Sequence, residues 1–279
     1  MYFKDNIEHL EKIAHRIRVD IIEMARKSGK CHFGGALSIV EILVALYFCI
    51  MSVDPKNSKW PDRDRFILSK GHAATTWYAV LAEKGFFPKE ILFTQFIKLN
   101  GLLQEHPCMI KTPGVDMSSG SLGQGLSVAL GMSLATRLNN KKYKVYVLLG
   151  DGEIQSGQIW EAVMASYHYK ANNIIAIVDF NKLQVGDLVK NEINIEPVGE
   201  KFKAFGWNVL EIDGNNMSQV VKALKTTKQS SSFYPTVIIS HTIKGKGISF
   251  MEGNINWHSH EFPEELYKRA KKELCGGSS

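Results

Sequence analysis

The sequence predicts an α/β fold of three layers, in which a mainly parallel sheet carries helices on both faces. Short apolar segments at residues 145–149, 174–179, 207–212 and 236–240 have the length and composition of buried strands. Segments with a helical spacing of apolar residues alternate with them. Strands that are apolar throughout are typical of a parallel sheet buried on both sides.

The remaining elements follow from local patterns. Apolar residues spaced by three and four between Ile7 and Met24 predict a first helix, which Gly29 ends. A second helix is predicted over residues 38–51 with Ser38 as its N-cap. A short strand is predicted at 65–68. Further helices are predicted over residues 73–84 and 88–99, from the segment 120–125 to about 138, and over 160–169, 198–205 and 218–226.

Length and composition indicate a globular protein. The chain has 279 residues, of which 44% are hydrophobic and 22% charged, so it can bury a core without disulfides. The longest apolar run, residues 42–51, is half of the about 20 residues that a membrane helix needs. The first six residues lack the apolar stretch of a secretory leader. We expect one domain over 1–274, a flexible tail over 275–279, a cytoplasmic location and no membrane binding.

Cysteine and charge patterns exclude several functions. Cys31, Cys49, Cys108 and Cys275 form no pair separated by two residues, which argues against a zinc ribbon or a redox motif. The net charge of +6 favours phosphorylated ligands or nucleic acid. Because the 34 Lys and Arg residues form no dense tract, we do not expect nucleic-acid binding.

Polar residues follow two consecutive predicted strands. Gly150, Asp151, Gly152 and Glu153 come directly after one strand, and Asn181 follows the next. Ligands of parallel sheets bind at the carboxyl ends of strands, although Gly and Asp are also common in plain turns. A carboxylate, an amide oxygen and a backbone carbonyl would leave vacancies on Mg²⁺ for diphosphate oxygens and water. The pair Asp151 and Asn181 therefore predicts a metal–diphosphate site.

A second glycine-rich segment closes an irregular stretch. Residues 100–120 are rich in Gly, Pro and Ser, and a loop of this length is usually functional. The segment 120–125 then opens a helix, where glycines allow backbone amides to approach a phosphate or a ring closely. Close helix packing is an equally good explanation. The segment is not the dinucleotide fingerprint, because the glycine order differs and no strand precedes it.

Histidines are concentrated in loops. A single loop histidine is usually only solvated, but several near a phosphate site suggest proton handling or recognition of hydroxyl groups. No spacing typical of a zinc site occurs among them. The residues are His32, His72, His106, His241, His258 and His260.

Several segments together resemble the transketolase family. Residues 30–38 (Lys-Cys-His-Phe-Gly-Gly-Ala-Leu-Ser) resemble its first histidine motif, and the stretch from 150 to 181 resembles its thiamine diphosphate motif. The resemblance spans about residues 10–262 and covers only the N-terminal, diphosphate-binding domain of the family. It implies the three-layer thiamine diphosphate-binding fold. The other matching segments, in the family's order, are 69–73, 105–107, 120–125, 242–249 and 257–258.

The resemblance implies a cofactor site. Asp151, Asn181 and the carbonyl of Leu183 would hold Mg²⁺ or Ca²⁺. Gly152 and His72 would contact the diphosphate of thiamine diphosphate. The full set of cofactor-binding residues that it implies is His72, Gly120, Ser121, Leu122, Gly150, Asp151, Gly152, Glu153, Asn181 and Ile243, with Ile243 at the thiazolium and Gly120 and Leu122 at the aminopyrimidine.

It also implies an activity. A transketolase moves a two-carbon ketol unit from a ketose to an aldose, usually phosphorylated, and His32, His106 and His258 would face the sugar hydroxyls and help to move protons. Since the pyrimidine-binding and C-terminal domains are absent from the sequence, the chain resembles the N-terminal subunit of a split transketolase. We expect its partner to be a separate C-terminal subunit, with sugar phosphate substrates and an α₂β₂ assembly.

Four positions depart from the family pattern. Cys31 and Glu105 stand where glycine is usual, and Phe180 replaces a polar residue next to Asn181. Ser156 stands where the family has a glutamate associated with communication between the two active sites. These departures suggest a specialised transketolase with an unusual acceptor sugar.

Other functions remain open on sequence alone. The α subunit of a 2-oxoacid dehydrogenase also binds the diphosphate and needs a partner, but it lacks the segments around His32, His72 and His106 in this form. A deoxyxylulose-phosphate synthase fragment fits the spacing of residues 69–73 less well. A cofactor-binding module without catalysis is the alternative from a different class.

Overall fold

A parallel sheet forms the centre of the computed structural model, which describes residues 6–276. Within these residues five strands pair in parallel in the order β2-β3-β4-β6-β5, and β1 pairs antiparallel with β7. The strands are β1 (Lys30–Cys31), β2 (Arg65–Leu68), β3 (Val145–Gly150), β4 (Ile174–Phe180), β5 (Asn208–Asp213), β6 (Thr236–His241) and β7 (His260–Glu261).

Helices cover both faces of this sheet. The third helix in the chain continues as a π-helical turn, Leu46–Ile50. The helices within the described residues are α1 (Ile7–Ser28), α2 (Phe33–Leu37), α3 (Val40–Ala45), α4 (Ala74–Lys84), α5 (Ile91–Thr94), α6 (Gly125–Leu138), α7 (Gly157–His168), α8 (Val189–Glu192), α9 (Val198–Ala204), α10 (Met217–Gln229) and α11 (Glu264–Cys275).

Alternate strand residues divide the core into two apolar layers. Phe66, Tyr146 and Ile175 lie side by side on one face and pack with α1, α3, α4 and α10. Val147 and Ala176 lie on the other face with α6, α7 and α9. Because successive side chains of a strand point to opposite faces, strands that are apolar throughout need cover on both sides. The predicted three-layer α/β fold is confirmed.

Two predicted helices are wrong in detail. The helix predicted at 38–51 begins only at Val40, and its second half, Leu46–Ile50, is π-helical. Ser38 is not an N-cap, because its hydroxyl group donates to the Asp179 carboxylate at 2.7 Å. The helix predicted at 88–99 is reduced to α5, because Ile97 and Asn100 adopt positive φ angles that end helical geometry.

The chain ends differ slightly from prediction. Cys275, predicted as part of a flexible tail, is instead the last residue of α11, a helix that sequence patterns did not predict. The structure does not describe residues 1–5 and 277–279. Most of the N-terminal segment examined for a leader and most of the predicted tail therefore lie outside the described residues. Between residues 6 and 276, no helix combines the length and apolar character needed to cross a membrane.

Strand register brings four loops together at one edge of the sheet. Gly150 at the end of β3 lies beside Asp179 of β4, and Phe180 lies beside His241 of β6. In parallel strands the carboxyl ends meet at the same edge. The segments that follow β2, β3, β4 and β6 therefore converge there.

Candidate functional site

A cleft of about 310 Å³ opens at this edge. Nine residues that the sequence predicted as site residues line the cleft. Several other lining residues carry a charged or amide side chain but were not predicted. The predicted residues in the lining are His72, Leu122, Gly150, Asp151, Gly152, Glu153, Asn181, Leu183 and His258, and the others are Gly35, Lys70, Gln184, Val185, Gly186, Glu192 and Lys244.

Asp151 is a buried carboxylate that is held by backbone donors. Its two oxygens accept hydrogen bonds from the amides of Gly152 at 2.8 Å and Lys182 at 2.5 Å. Burial, and then the neighbouring Asp179, raise the pKa of Asp151 to about 7. A carboxylate in this position is stabilised by any cation that enters the cleft.

Asn181 lies next to Asp151 with its amide fixed on both sides. The Nδ2 atom donates to Asp179 at 3.0 Å, and the Oδ1 atom accepts from the Leu183 amide at 3.1 Å. Lys182, between Asn181 and Leu183, has a φ of 66°, which turns the chain sharply here. The turn places an amide oxygen and a backbone carbonyl in the same wall as Asp151.

Two lysines bring positive charge to the cleft. Lys70 is 2% exposed and donates to Asp179 at 2.5 Å and to the Gly35 carbonyl at 2.8 Å. Lys244 donates to the carbonyls of Leu183 at 3.2 Å and Gln184 at 2.9 Å. Burial, and then Lys70, lower the pKa of Lys244 to about 8. These lysines lie within segments 69–73 and 242–249, so motif position was the available signal.

Glu153 joins three loops beneath the cleft. Its Oε1 atom accepts from the Ser69 hydroxyl and from the Gly123 amide at 2.9 Å, and its Oε2 atom accepts from the Gly150 amide at 2.9 Å. Burial raises the pKa of this carboxyl. The glycine-rich segment 120–125 is thereby fastened to the end of β3.

Three histidine rings form a cluster beside the cleft. The ring centroids of His32, His72 and His258 are 5.1 to 5.9 Å apart. Burial is the main cause that lowers the pKa of each ring. For His258 the nearby Lys244 and His32 lower the pKa further, to about 4. The three rings are consequently neutral near pH 7, each with one nitrogen that donates and one that accepts.

The other predicted residues lie around the cleft rather than within its lining. His106 faces Gly120, where a Cβ atom would stand 3.5 Å from the imidazole. Gly120 and Ser121 are exposed and directly precede Leu122. Ile243 is 40% exposed and its amide donates to Asn215 at 2.8 Å.

The four unusual residues occupy different environments. Cys31 is buried, and its thiol contacts the Thr75 hydroxyl at 3.7 Å. Glu105 lies 3.4 Å from Lys30 and 4.0 Å from His32, outside the lining of the cleft. Phe180 is buried and packs edge-to-face on His241.

Ser156, the fourth of them, precedes α7 and packs against Gly123, where a Cβ atom would come within 3.1 Å of the serine Cβ. A serine is small enough for this contact. The segment 120–125 consequently lies close to the start of α7 as well as to Glu153.

Fold and site together define an α/β domain with a polar, partly cationic cleft at the carboxyl ends of parallel strands, as in domains that bind phosphorylated ligands. Residues 9–276 match the family described as transketolase, thiamine diphosphate binding domain. The chain belongs to this family. The sequence-based assignment to thiamine diphosphate-dependent transketolases, as their N-terminal part, is confirmed at the level of the family.

Relatives of similar length are transketolase subunits. The chain is 45% identical to the 6-deoxy-6-sulfo-D-fructose transketolase subunit of Clostridium sp. strain MSTE9, over 95% of this chain and 96% of that protein. It is 39% identical to an apulose-4-phosphate transketolase subunit of Phocaeicola vulgatus, over 96% of this chain and 94% of that one.

Solved structures of longer transketolases share the fold. The crystal structure of Campylobacter jejuni transketolase superimposes with a TM-score of 0.89 at 33% identity, covering 97% of this chain. The match covers 43% of the Campylobacter chain. The present chain therefore spans less than half of the solved transketolases that it matches.

We expect the substitution Glu153→Gln to loosen the cleft. Three donors converge on this carboxylate, and a glutamine NH₂ group cannot accept from any of them, so at least one buried donor loses its partner. The free energy of unfolding should fall by about 1–3 kcal/mol in urea denaturation. Glu161→Gln, on the exposed side of α7, is the matched control and should leave it unchanged. Equal effects of the two substitutions would contradict this role of Glu153.

Proposed function

We propose that the cleft binds thiamine diphosphate together with Mg²⁺ or Ca²⁺, and that the chain is the N-terminal subunit of a split transketolase. The observation that supports this most strongly is the convergence of Asp151, Asn181 and Leu183 with the cations of Lys70 and Lys244 in one cleft. Oxygen ligands for a hard cation and ammonium groups for a polyphosphate are thus combined at one site.

The donor set fits a divalent cation. Asp151 offers a carboxylate, Asn181 an amide oxygen and Leu183 a backbone carbonyl, which are the ligand types that Mg²⁺ and Ca²⁺ prefer. Gly152 carries no side chain where Gln184 approaches it, since a Cβ atom there would stand 2.6 Å from the Gln184 amide oxygen. Lys244, which donates to the Leu183 carbonyl, would stabilise diphosphate oxygens together with His72.

The remaining predicted residues would orient cofactor and sugar. Thiamine diphosphate, when bound, supplies the carbanion chemistry that breaks and forms the carbon–carbon bond. Backbone around Gly120, Ser121 and Leu122, and the exposed side chain of Ile243, would position its rings. The neutral rings of His32 and His258, with His106 nearby, can each donate and accept at sugar hydroxyls.

The substrates that we propose are a ketose with an anionic terminal group and an aldose acceptor. Two relatives carry names that specify a sulfonated ketose and a ketose phosphate. Glu105, which departs from the family pattern and lies beside Lys30 and His32, would influence the choice of sugar. The relatives favour this activity over a 2-oxoacid dehydrogenase subunit or a module without catalysis.

We further propose a partner chain. Curated relatives of the same length are named as subunits, and the solved transketolases are more than twice as long. The C-terminal subunit would provide the pyrimidine-binding and C-terminal domains, in an α₂β₂ complex located in the cytoplasm. Exposed apolar side chains at Leu122, Val185 and Ile193 lie on or near the cleft, as expected where a second chain docks.

Asp151→Ala should weaken cofactor binding by more than roughly 100-fold. Loss of a group that only hydrogen-bonds to a metal ligand typically costs about 10- to 100-fold, and Asp151 is proposed to bind the metal itself. The loss should depend on Mg²⁺, because the removed carboxylate neutralises the cation. Calorimetric titration with thiamine diphosphate, with Mg²⁺ and with a chelator, measures it. Asp187→Ala, on the exposed neighbouring loop, is the control. Unchanged affinity of the Asp151 variant would remove this residue from the site.

The affinity measured in the same titration should depend on pH. Because burial raises the pKa of Asp151 to about 7, a proton competes with the cation for this carboxylate below neutrality. Affinity in Mg²⁺ should therefore rise between about pH 5.5 and pH 7.5, and the rise should be smaller in Asp151→Ala, where the diphosphate still titrates but this carboxylate does not.

The partner is tested by activity. The purified chain alone should show no ketol transfer, and co-expression with the candidate C-terminal subunit should restore it, measured with xylulose 5-phosphate and ribose 5-phosphate and with a sulfonated ketose. Pyruvate with a dye acceptor is the control for the dehydrogenase alternative. Ketol transfer by the chain alone, free of host transketolase, would contradict the split-enzyme proposal.

A further inference from the structure

One carboxylate beneath the cleft receives hydrogen bonds from four separate side chains. Asp179 is completely buried at the end of β4. Its Oδ2 atom accepts from Ser38 at 2.7 Å, from Lys70 at 2.5 Å and from Asn181 at 3.0 Å, while its Oδ1 atom accepts from the Thr242 hydroxyl. Each of these partners belongs to a segment that borders the cleft, so Asp179 supports the cleft wall from below.

The contact with Asn181 determines which way an amide points. The two ends of an asparagine amide have nearly the same shape, so hydrogen-bond partners decide between its two orientations. An ionised carboxylate only accepts, which requires the NH₂ group of Asn181 to face Asp179. The opposite end then presents oxygen, which accepts from the Leu183 amide at 3.1 Å.

Lys70 forms an ion pair with Asp179. Both side chains are almost fully buried, and the ammonium group lies 2.5 Å from the carboxylate. An ammonium group can only donate, so Oδ2 of Asp179 accepts from Lys70, as it does from the Ser38 hydroxyl. The ion pair therefore keeps Asp179 an acceptor toward Asn181.

We propose that Asp179 is a positioning residue that orients the Asn181 amide with its oxygen, and not its nitrogen, available to the divalent cation. This inference rests on the proposed function. It assigns to Asp179 a role that acts through Asn181, whereas the bonds to Ser38 and Thr242 serve to hold the surrounding loops together.

The first test is a double-mutant cycle. Asp179→Asn allows the facing amide to adopt either orientation, so affinity of the full chain for thiamine diphosphate in Mg²⁺ should fall by about 10- to 100-fold in calorimetric titration. If Asp179 acts through Asn181, the same substitution in an Asn181→Ala background should cause no further loss. Additive losses would overturn the proposal.

Two variants provide controls at the same carboxylate. Ser38→Ala and Thr242→Val each remove one donor to Asp179 but leave its contact with Asn181. Their affinities should change by less than about threefold, although urea denaturation should show reduced stability. Losses as large as that of Asp179→Asn would contradict a specific action on Asn181.

Exchanging the acid and the amide between positions 179 and 181 provides a second test if Asp179→Asn folds poorly. Asn181→Asp alone places two carboxylates against each other and should weaken binding, even though a carboxylate is a stronger cation ligand than an amide. The double variant Asp179→Asn/Asn181→Asp restores one donor and one acceptor and should recover affinity relative to Asn181→Asp. Tighter binding by Asn181→Asp alone, or no recovery in the double variant, would overturn the role of Asp179.

Failure of this inference and failure of the proposed function give different results. If the unmodified chain binds neither thiamine diphosphate nor Mg²⁺ in the concentrations used, the proposed function fails and the inference fails with it. If the unmodified chain binds both and the losses at positions 179 and 181 are additive, only the inference fails.

Discussion

The buried ion pair between Asp179 and Lys70 is the interaction on which the cleft depends. A charge without contact to water is stable only when it is paired and its remaining hydrogen-bonding capacity is satisfied. The lysine also donates to the Gly35 carbonyl, and the carboxylate also accepts from Ser38 and Thr242. The segments around α2, after β2, at the end of β4 and after β6 are therefore held in one arrangement, and the cleft is the space between them.

Strand register brings these segments to the same edge of the sheet, and local sequence patterns were sufficient to predict the strands. The sequence allowed us to predict the apolar strands, their parallel direction and the convergence of Asp151 with Asn181. Each depends on short-range composition or on a general property of parallel sheets. The contact of Lys70 with Asp179 could not, since it joins residues 109 positions apart. Lys244 was likewise missed: its place in segment 242–249 was the only sequence signal, and its contact with the Leu183 carbonyl is visible only in the fold.

Errors in secondary structure have the same origin. Ser38 follows the pattern of an N-cap, but the buried carboxylate of Asp179 competes for its hydroxyl group. The apolar spacing over 88–99 is helical, yet the Gln95 side chain accepts from the Leu102 amide and the Ile97 amide donates to the Leu103 carbonyl, which folds the chain back. In both places long-range partners outweigh local propensity.

The electrostatics of the cleft suit a polyanion bound through a cation. Asp151 has no side-chain cation within hydrogen-bonding contact among the described residues, Lys244 is partly desolvated, and His72 and His258 are held neutral.

The most direct measurement is a crystal structure of the chain with thiamine diphosphate and Mn²⁺, using the anomalous signal of manganese. We expect one peak bonded to Asp151, Asn181 Oδ1 and the Leu183 carbonyl. A peak elsewhere, or cofactor bound without metal at these atoms, would contradict it.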